Sequence, residues 1–139
     1  GTAGWAGSAT NTCGKWGNIL GGYGKKSSGH LDKTYTWQKI AHTEVRVTLD
    51  YVRIDSWDNE KAEVRLDGKL VWFKHGSGGG PGSSQVCGNG SNGYTEEKFA
   101  VAAKTGHVDN KVKLRASSNL DEDDHNESFG IDNVFVWIR

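Results

Sequence analysis

Val64-Arg65-Leu66-Asp67-Gly68-Lys69-Leu70-Val71 decides the fold. Asp-Gly between two apolar runs is the signature of a type I′ hairpin, because both central residues need positive φ. A two-residue turn there sets Leu66 opposite Lys69, Val64 opposite Val71 and Ala62 opposite Phe73, and that face belongs to the core. The other face carries Glu63, Arg65, Leu70 and Trp72, so Trp72 is expected on the wetter side.

Outward from the hairpin the period stays at two. Val45, Val47 and Leu49 alternate with polar residues, then the apolar phase shifts to Val52 and Ile54, which predicts a bulge near Asp50-Tyr51. Phe99, Val101 and Ala103 form a further strand. Only around Thr95–Lys104 does a helix compete, and its Phe-Ala-Val-Ala stretch fits a strand better. Val112, Leu114 and Ala116 alternate with Lys111, Lys113 and Arg115. The last strand runs from Gly130 to Arg139 with Ile131, Val134, Val136 and Ile138 inward. Seven to nine short strands separated by Gly-rich turns predict an all-β, jelly-roll-like fold: an antiparallel two-sheet β-sandwich spanning 1–139 as one domain.

Composition narrows the function classes. Among 139 residues, Lys+Arg and Asp+Glu number 17 each, so the formal charge is zero. A nucleic-acid binder needs a basic surface to displace counterions. No apolar run approaches the ~20 residues of a membrane span. Six Trp, four Tyr and four Phe supply area to bury, against disorder. Met is absent and the chain begins at Gly1, as expected of a processed chain whose leader has been removed. Two sequons, Asn89-Gly90-Ser91 and Asn126-Glu127-Ser128, favour secretion, and the sequence leaves open whether Asn89 and Asn126 carry glycans. Cys13 and Cys87 are too few for a zinc site. They are either buried thiols or a bridge closing a loop of about 75 residues, worth at most about 4.5 kcal/mol of chain entropy. Gly76–Ser84 and Gly88–Gly93 are Gly-rich, but no GKS/T follows, so they read as surface loops rather than phosphate cradles.

The chemistry-bearing residues fall into two acidic clusters, Asp55-Ser56-Trp57-Asp58-Asn59-Glu60 and Asn119–Glu127. Calcium takes six to eight hard oxygens, and loops at one end of a sandwich can supply them. The candidate ligands are Asp55, Asp58, Glu60, Asn119, Asp132 and Asn133. Nothing sets one carboxylate apart as a glycosidase acid, the five histidines form no HxH or HExxH pair, and no GxSxG occurs. The chain therefore reads as non-catalytic, with a small glycosidase or polysaccharide lyase as the enzymatic alternative. Indole faces stack on the C–H face of a pyranose, while Asp, Asn and Glu bind its hydroxyls. Trp57 and Trp72 are expected to be exposed and, with His75, Asn126 and Glu127, are the candidate sugar contacts. Trp5, Trp16, Trp37 and Trp137 are expected in or beside the core.

Cys13-Gly14, Ile19-Leu20-Gly21-Gly22-Tyr23, Ile54-Asp55-Ser56-Trp57-Asp58-Asn59-Glu60, Val71-Trp72, Val86-Cys87-Gly88 and Glu127-Ser128-Phe129-Gly130-Ile131-Asp132-Asn133-Val134 occur in one order along nearly the whole chain. Together they resemble a repeated extracellular module of ciliate and other aquatic eukaryote surface proteins, whose pattern reads roughly CG…LGGY…IDSWDGE…VW…CG…DESWGIDNV. The resemblance implies a β-sandwich, a Cys13–Cys87 disulfide and a secreted context. Asn59 stands where the pattern has Gly, and Asn126 and Phe129 where it has Asp and Trp. If the pattern's Asp were a metal ligand, Asn126 would bind through a neutral carbonyl, and more weakly.

The functional expectation is a secreted, lectin-like module that binds glycans, with calcium organising its loops. A structural or adhesive module that binds another protein or forms a homo-oligomer is the competing expectation.

Overall fold

The computed structural model describes residues 4–6, 9–77, 83–90 and 93–139. Ten strands are assigned among them: β1 Trp5–Ala6, β2 Thr10–Thr12, β3 Asn18–Gly21, β4 Gly29–Thr36, β5 Glu44–Asp55, β6 Asp58–Leu66, β7 Lys69–Ser77, β8 Glu97–Gly106, β9 Lys111–Ser118 and β10 Glu127–Ile138. They form two five-stranded sheets, ordered β1-β4-β9-β6-β7 and β2-β3-β10-β5-β8, with antiparallel neighbours throughout. Between the sheets lies a core that includes Val45, Val47, Leu49, Tyr51, Val64, Leu66, Val101, Leu114, Phe129 and Ile131. This is the predicted sandwich.

The Asp67-Gly68 turn forms with φ of 51° and 81°, and Leu66 pairs with Lys69 as expected. One residue later the register slips: Arg65 pairs with Leu70, but Val64 pairs with Trp72 and Ala62 with Lys74. Val71 is the extra residue of a bulge, and beyond it every β7 side chain changes face. The expected Val64–Val71 and Ala62–Phe73 pairs are therefore corrected. Trp72 turns inward, half-buried, with its ring 5.8 Å from Tyr51 and 6.2 Å from Phe99. Phe73 takes the wet face instead, 55% exposed.

The phase shift in β5 also has a cause other than the expected bulge. β5 pairs with β8 without interruption from Glu44–Gly106 to Arg53–Glu97. Beyond Tyr51 both faces of β5 are covered, because Cys13, Ile19, Val52 and Ile54 form a second cluster, with Trp16, Tyr23, Val86 and Cys87 packed on it. The Cys13–Cys87 disulfide, with Cα atoms 4.7 Å apart, staples this outer layer. The irregularity lies instead in β10, between Asp132 and Phe135, where Asn133 has φ 52°. Trp5 and Trp37 pack on the main cluster and Trp16 on the second, whereas Trp137, expected in or beside the core, is 41% exposed.

Candidate functional site

The two acidic stretches meet. Ser56 donates from its N–H and its Oγ to Asn126 O at 3.1 and 2.9 Å. Lys61 N–H donates to Asn119 Oδ1 at 2.7 Å. The β5–β6 turn and the β9–β10 loop are thereby held side by side. Glu127, opposite Asp55 in the β5–β10 ladder, projects where they join. Its carboxylate belongs to two groups, Glu60–Asp121–Glu127 and Asp58–Glu122–Glu127, each with ligand oxygens within 4.8 Å of one another. Among the described residues no Lys, Arg or His is ion-paired to any of these five acids.

Glu127 is fully buried. Its Oε2 accepts the Asp121 N–H at 3.3 Å, while Oε1 has no hydrogen-bond partner. Burial, then the adjoining Glu122 carboxyl and the charges of Glu60 and Glu122, push the Glu127 pKa up to about 8. A buried carboxylate short of donors and crowded by like charges suits a hard cation, which neutralises the group and occupies its free oxygen.

The other candidate residues distribute unevenly. Asp58, Glu60 and Glu127 converge, and Asn119 adjoins them with its carbonyl engaged by Lys61. Asp55 faces elsewhere. Asp132 and Asn133 lie up β10, the first about 17 Å from Glu127 at strand rise, and Asn133 Nδ2 donates to Asp50 Oδ2 at 2.8 Å. Asp55, Asp132 and Asn133 thus stand apart from the acids grouped around Glu127, and Asp121 and Glu122 belong to that group.

Trp57 corrects the expected sugar surface: it is 1% exposed. Ser56-Trp57 is the crossover between sheets, flanked by Asp55 at φ 65° and Asn59 at φ 75°. At such a corner the indole closes the end of the core. It meets Tyr51 edge-on at 6.2 Å, and its Nε1–H donates to Ser128 O at 2.9 Å. Glu127 is enclosed as well, and Trp72 lies on the core side of β7. Of the expected sugar contacts only His75 and Asn126 are exposed, His75 with Nδ1 2.8 Å from Asn59 O.

Asp55 has a different partner. Its Oδ2 accepts the Asn89 N–H at 2.7 Å, and Glu96 Oε1 accepts the N–H groups of Val86, Cys87 and Gly88 at 2.7, 2.7 and 3.0 Å. The remaining oxygens, Asp55 Oδ1 and Glu96 Oε2, lack partners and face Gly88, where a Cβ would come within 2.2 and 2.6 Å of them. One proton held between the two carboxyls would satisfy both. Burial, with the adjoining Glu96, raises the Asp55 pKa to about 6, against the Asn89 N–H and Arg53. This pair holds down the segment carrying Cys87. Ser91, of the first sequon, and residues 78–82, of the first Gly-rich loop, lie outside the described residues.

A second concavity opens where short strands run out. β3 pairs with β10 only at Gly130 and Ile131, β10 then bulges, and β1 has two residues. The gap is a cleft of about 520 Å³ whose lining includes Trp5, Asn18, Lys33, Tyr35, Asp132 and Asn133. Lys33 Nζ stands 4.8 Å from the centroid of the Tyr35 ring. The sequence pattern placed Trp5 in or beside the core and singled out neither Lys33 nor Tyr35.

No family model matches the chain, and no curated protein matches it. Its fold is similar to solved structures. For Clostridium thermocellum endo-1,4-β-D-xylanase 10B, solved as CBM22-1–GH10 modules complexed with xylohexaose, the TM-score is 0.59 at 11% identity, over 98% of this chain and 26% of that one. For latent PorU from Porphyromonas gingivalis it is 0.55 at 12%, over 82% of this chain. For a family 35 carbohydrate binding module from an environmental isolate it is 0.50 at 8%, over 96% and 86%. The chain spans only 10% of PorU, and at these identities the likeness is one of fold.

Proposed function

We propose that the chain is an extracellular, non-catalytic carbohydrate-binding module whose paired acidic loops carry a calcium ion. The observation that carries the cation is Glu127, a buried carboxylate with an unpartnered oxygen among four other acids. Asp58, Glu60, Asp121, Glu122 and Glu127 would hold it, and an ion there would fix the β5–β6 turn against the β9–β10 loop. The sandwich that this chain shares with a family 35 carbohydrate binding module supports the glycan reading. The disulfide supports an oxidising compartment, in keeping with the surface-protein module that the sequence resembles. Both carboxyls with strongly raised pKa, Asp55 and Glu127, are enclosed, where no polysaccharide could reach them as a catalytic acid.

Thermal melts with calcium and with chelator, together with binding to a glycan array, test the proposal. It requires a higher melting temperature with calcium, by mass action on the folded state, and retention of at least one glycan. A chain that ignores calcium and every glycan on the array defeats it. The exposed rings of Phe135 and Trp137 on the outer face of β10 favour the adhesive alternative, which sedimentation would reveal as concentration-dependent assembly.

A further inference from the structure

The cleft between the short strands lies at the edge of the core and apart from the acidic loops. Its chemistry is mixed in a specific way. Trp5 and Tyr35 present aromatic surface from β1 and β4, while the walls add the Asp132 carboxylate, the Asn18 and Asn133 amides and the Lys33 ammonium. Trp5 and Lys33 are register partners, and Tyr35 stands two residues on, so these three share one face of the sheet. The charges of Lys33 and Asp132 offset each other, which disfavours a phosphate or another strongly anionic ligand, and the polar walls disfavour a purely apolar one. A neutral ligand with one apolar face and a rim of hydroxyls fits both features. The volume lies within the ~300–1,000 Å³ of small-molecule sites, room for a short oligosaccharide.

We propose that this cleft is the glycan site and that it takes neutral pyranose oligosaccharides. Trp5 and Tyr35 offer ring surface to the sugar's C–H face, Asp132 accepts from its hydroxyls, and Lys33 donates to its oxygens. The assignment rests on the carbohydrate-binding reading above and moves the recognition surface to residues outside the acidic loops.

The test uses the full chain and a panel of soluble xylo-, cello-, manno- and galacto-oligosaccharides, read by calorimetry and by the indole ¹H–¹⁵N resonances of its six Trp. A binding sugar should shift the Trp5 indole and leave that of buried Trp57 in place. Tyr35→Ala and Asp132→Asn should each weaken binding about tenfold or more with the fold intact, and Phe73→Ala, on the exposed face of β7, should change nothing. If Tyr35→Ala unfolds, Asp132→Asn and the Trp5 resonance decide. A sugar that binds without moving Trp5, and equally well to the Asp132→Asn protein, overturns the cleft but keeps the carbohydrate function. No binding across the panel and a glycan array overturns both.

Discussion

Removing the Glu127 charge should stabilise the metal-free protein at alkaline pH while abolishing its response to calcium. In the folded chain the buried carboxyl keeps its proton up to about pH 8, against the 4.5 ordinary for a glutamate. Its contribution to stability is therefore complete below pH 4.5 and is lost as pH rises through 8. At about 1.4 kcal/mol per pKa unit, ionising it costs on the order of 5 kcal/mol when no cation is present. Glu127→Gln keeps the shape and drops the charge. In chelator at pH 8.5 the variant should melt about 15 °C above wild type, taking roughly 3 °C per kcal/mol for a domain of this size. Calcium narrows that gap, because the ion must displace the proton and then neutralises its neighbours. Calcium at one hundred times its Kd should add about 2.7 kcal/mol to wild type and little to Glu127→Gln, with a larger gain at pH 8 than at pH 5. Differential scanning calorimetry with chelator and with calcium at both pH values reads all of this. Equal calcium gains in the two proteins would refute the cation assignment, and a Gln variant no more stable than wild type in chelator would refute the buried-charge argument.

Three further perturbations probe the frame around the site. Asp55 is raised to about 6 from 3.8, so its contribution is present below pH 3.8 and lost through pH 6; Asp55→Asn, whose amide can bridge to Glu96, should flatten urea stability between pH 4 and 7 by up to about 3 kcal/mol, and an unchanged slope would count against the shared proton. Replacing Cys13 and Cys87 by Ser opens a loop with a sequence separation of 74 and should cost at most about 4.5 kcal/mol, seen as a lower urea midpoint. Trp72→Ala should cost about 2–3 kcal/mol and Phe73→Ala less than about 0.5, and the opposite order would mean that the β7 bulge is wrongly placed.

The alternation of Val45-Val47-Leu49 and of Val112-Leu114-Ala116, and the Asp67-Gly68 turn, made the sandwich legible, since period two and positive φ are local properties. The slip at Val71 was not legible: nothing in Leu70-Val71-Trp72 marks which residue is extra, and the choice is made by fitting Trp72 against Tyr51 and Phe99. The acidic loops were legible as a pair because their composition stood out. Which carboxylates meet depended on strand register, and so Asp55 and Asp132 stand apart from the group around Glu127 that Asp121 and Glu122 join. Trp57 looked exposed because acids flank it, but a crossover between sheets points its ring into the core. The cleft was invisible, being lined from five strands, β1, β2, β3, β4 and β10, that only the fold brings together.

The Val71 bulge sits in β7, which among the described residues is bonded on one side only. Deleting Val71 would straighten the strand and leave Trp72 opposite Val64, whereas drawing Val71 into the ladder would turn Trp72 outward and Phe73 inward while disturbing just one neighbour. Such an edge is a place where the outer chemistry of this scaffold can be rewritten by one step of pairing, leaving the stapled interior as it is.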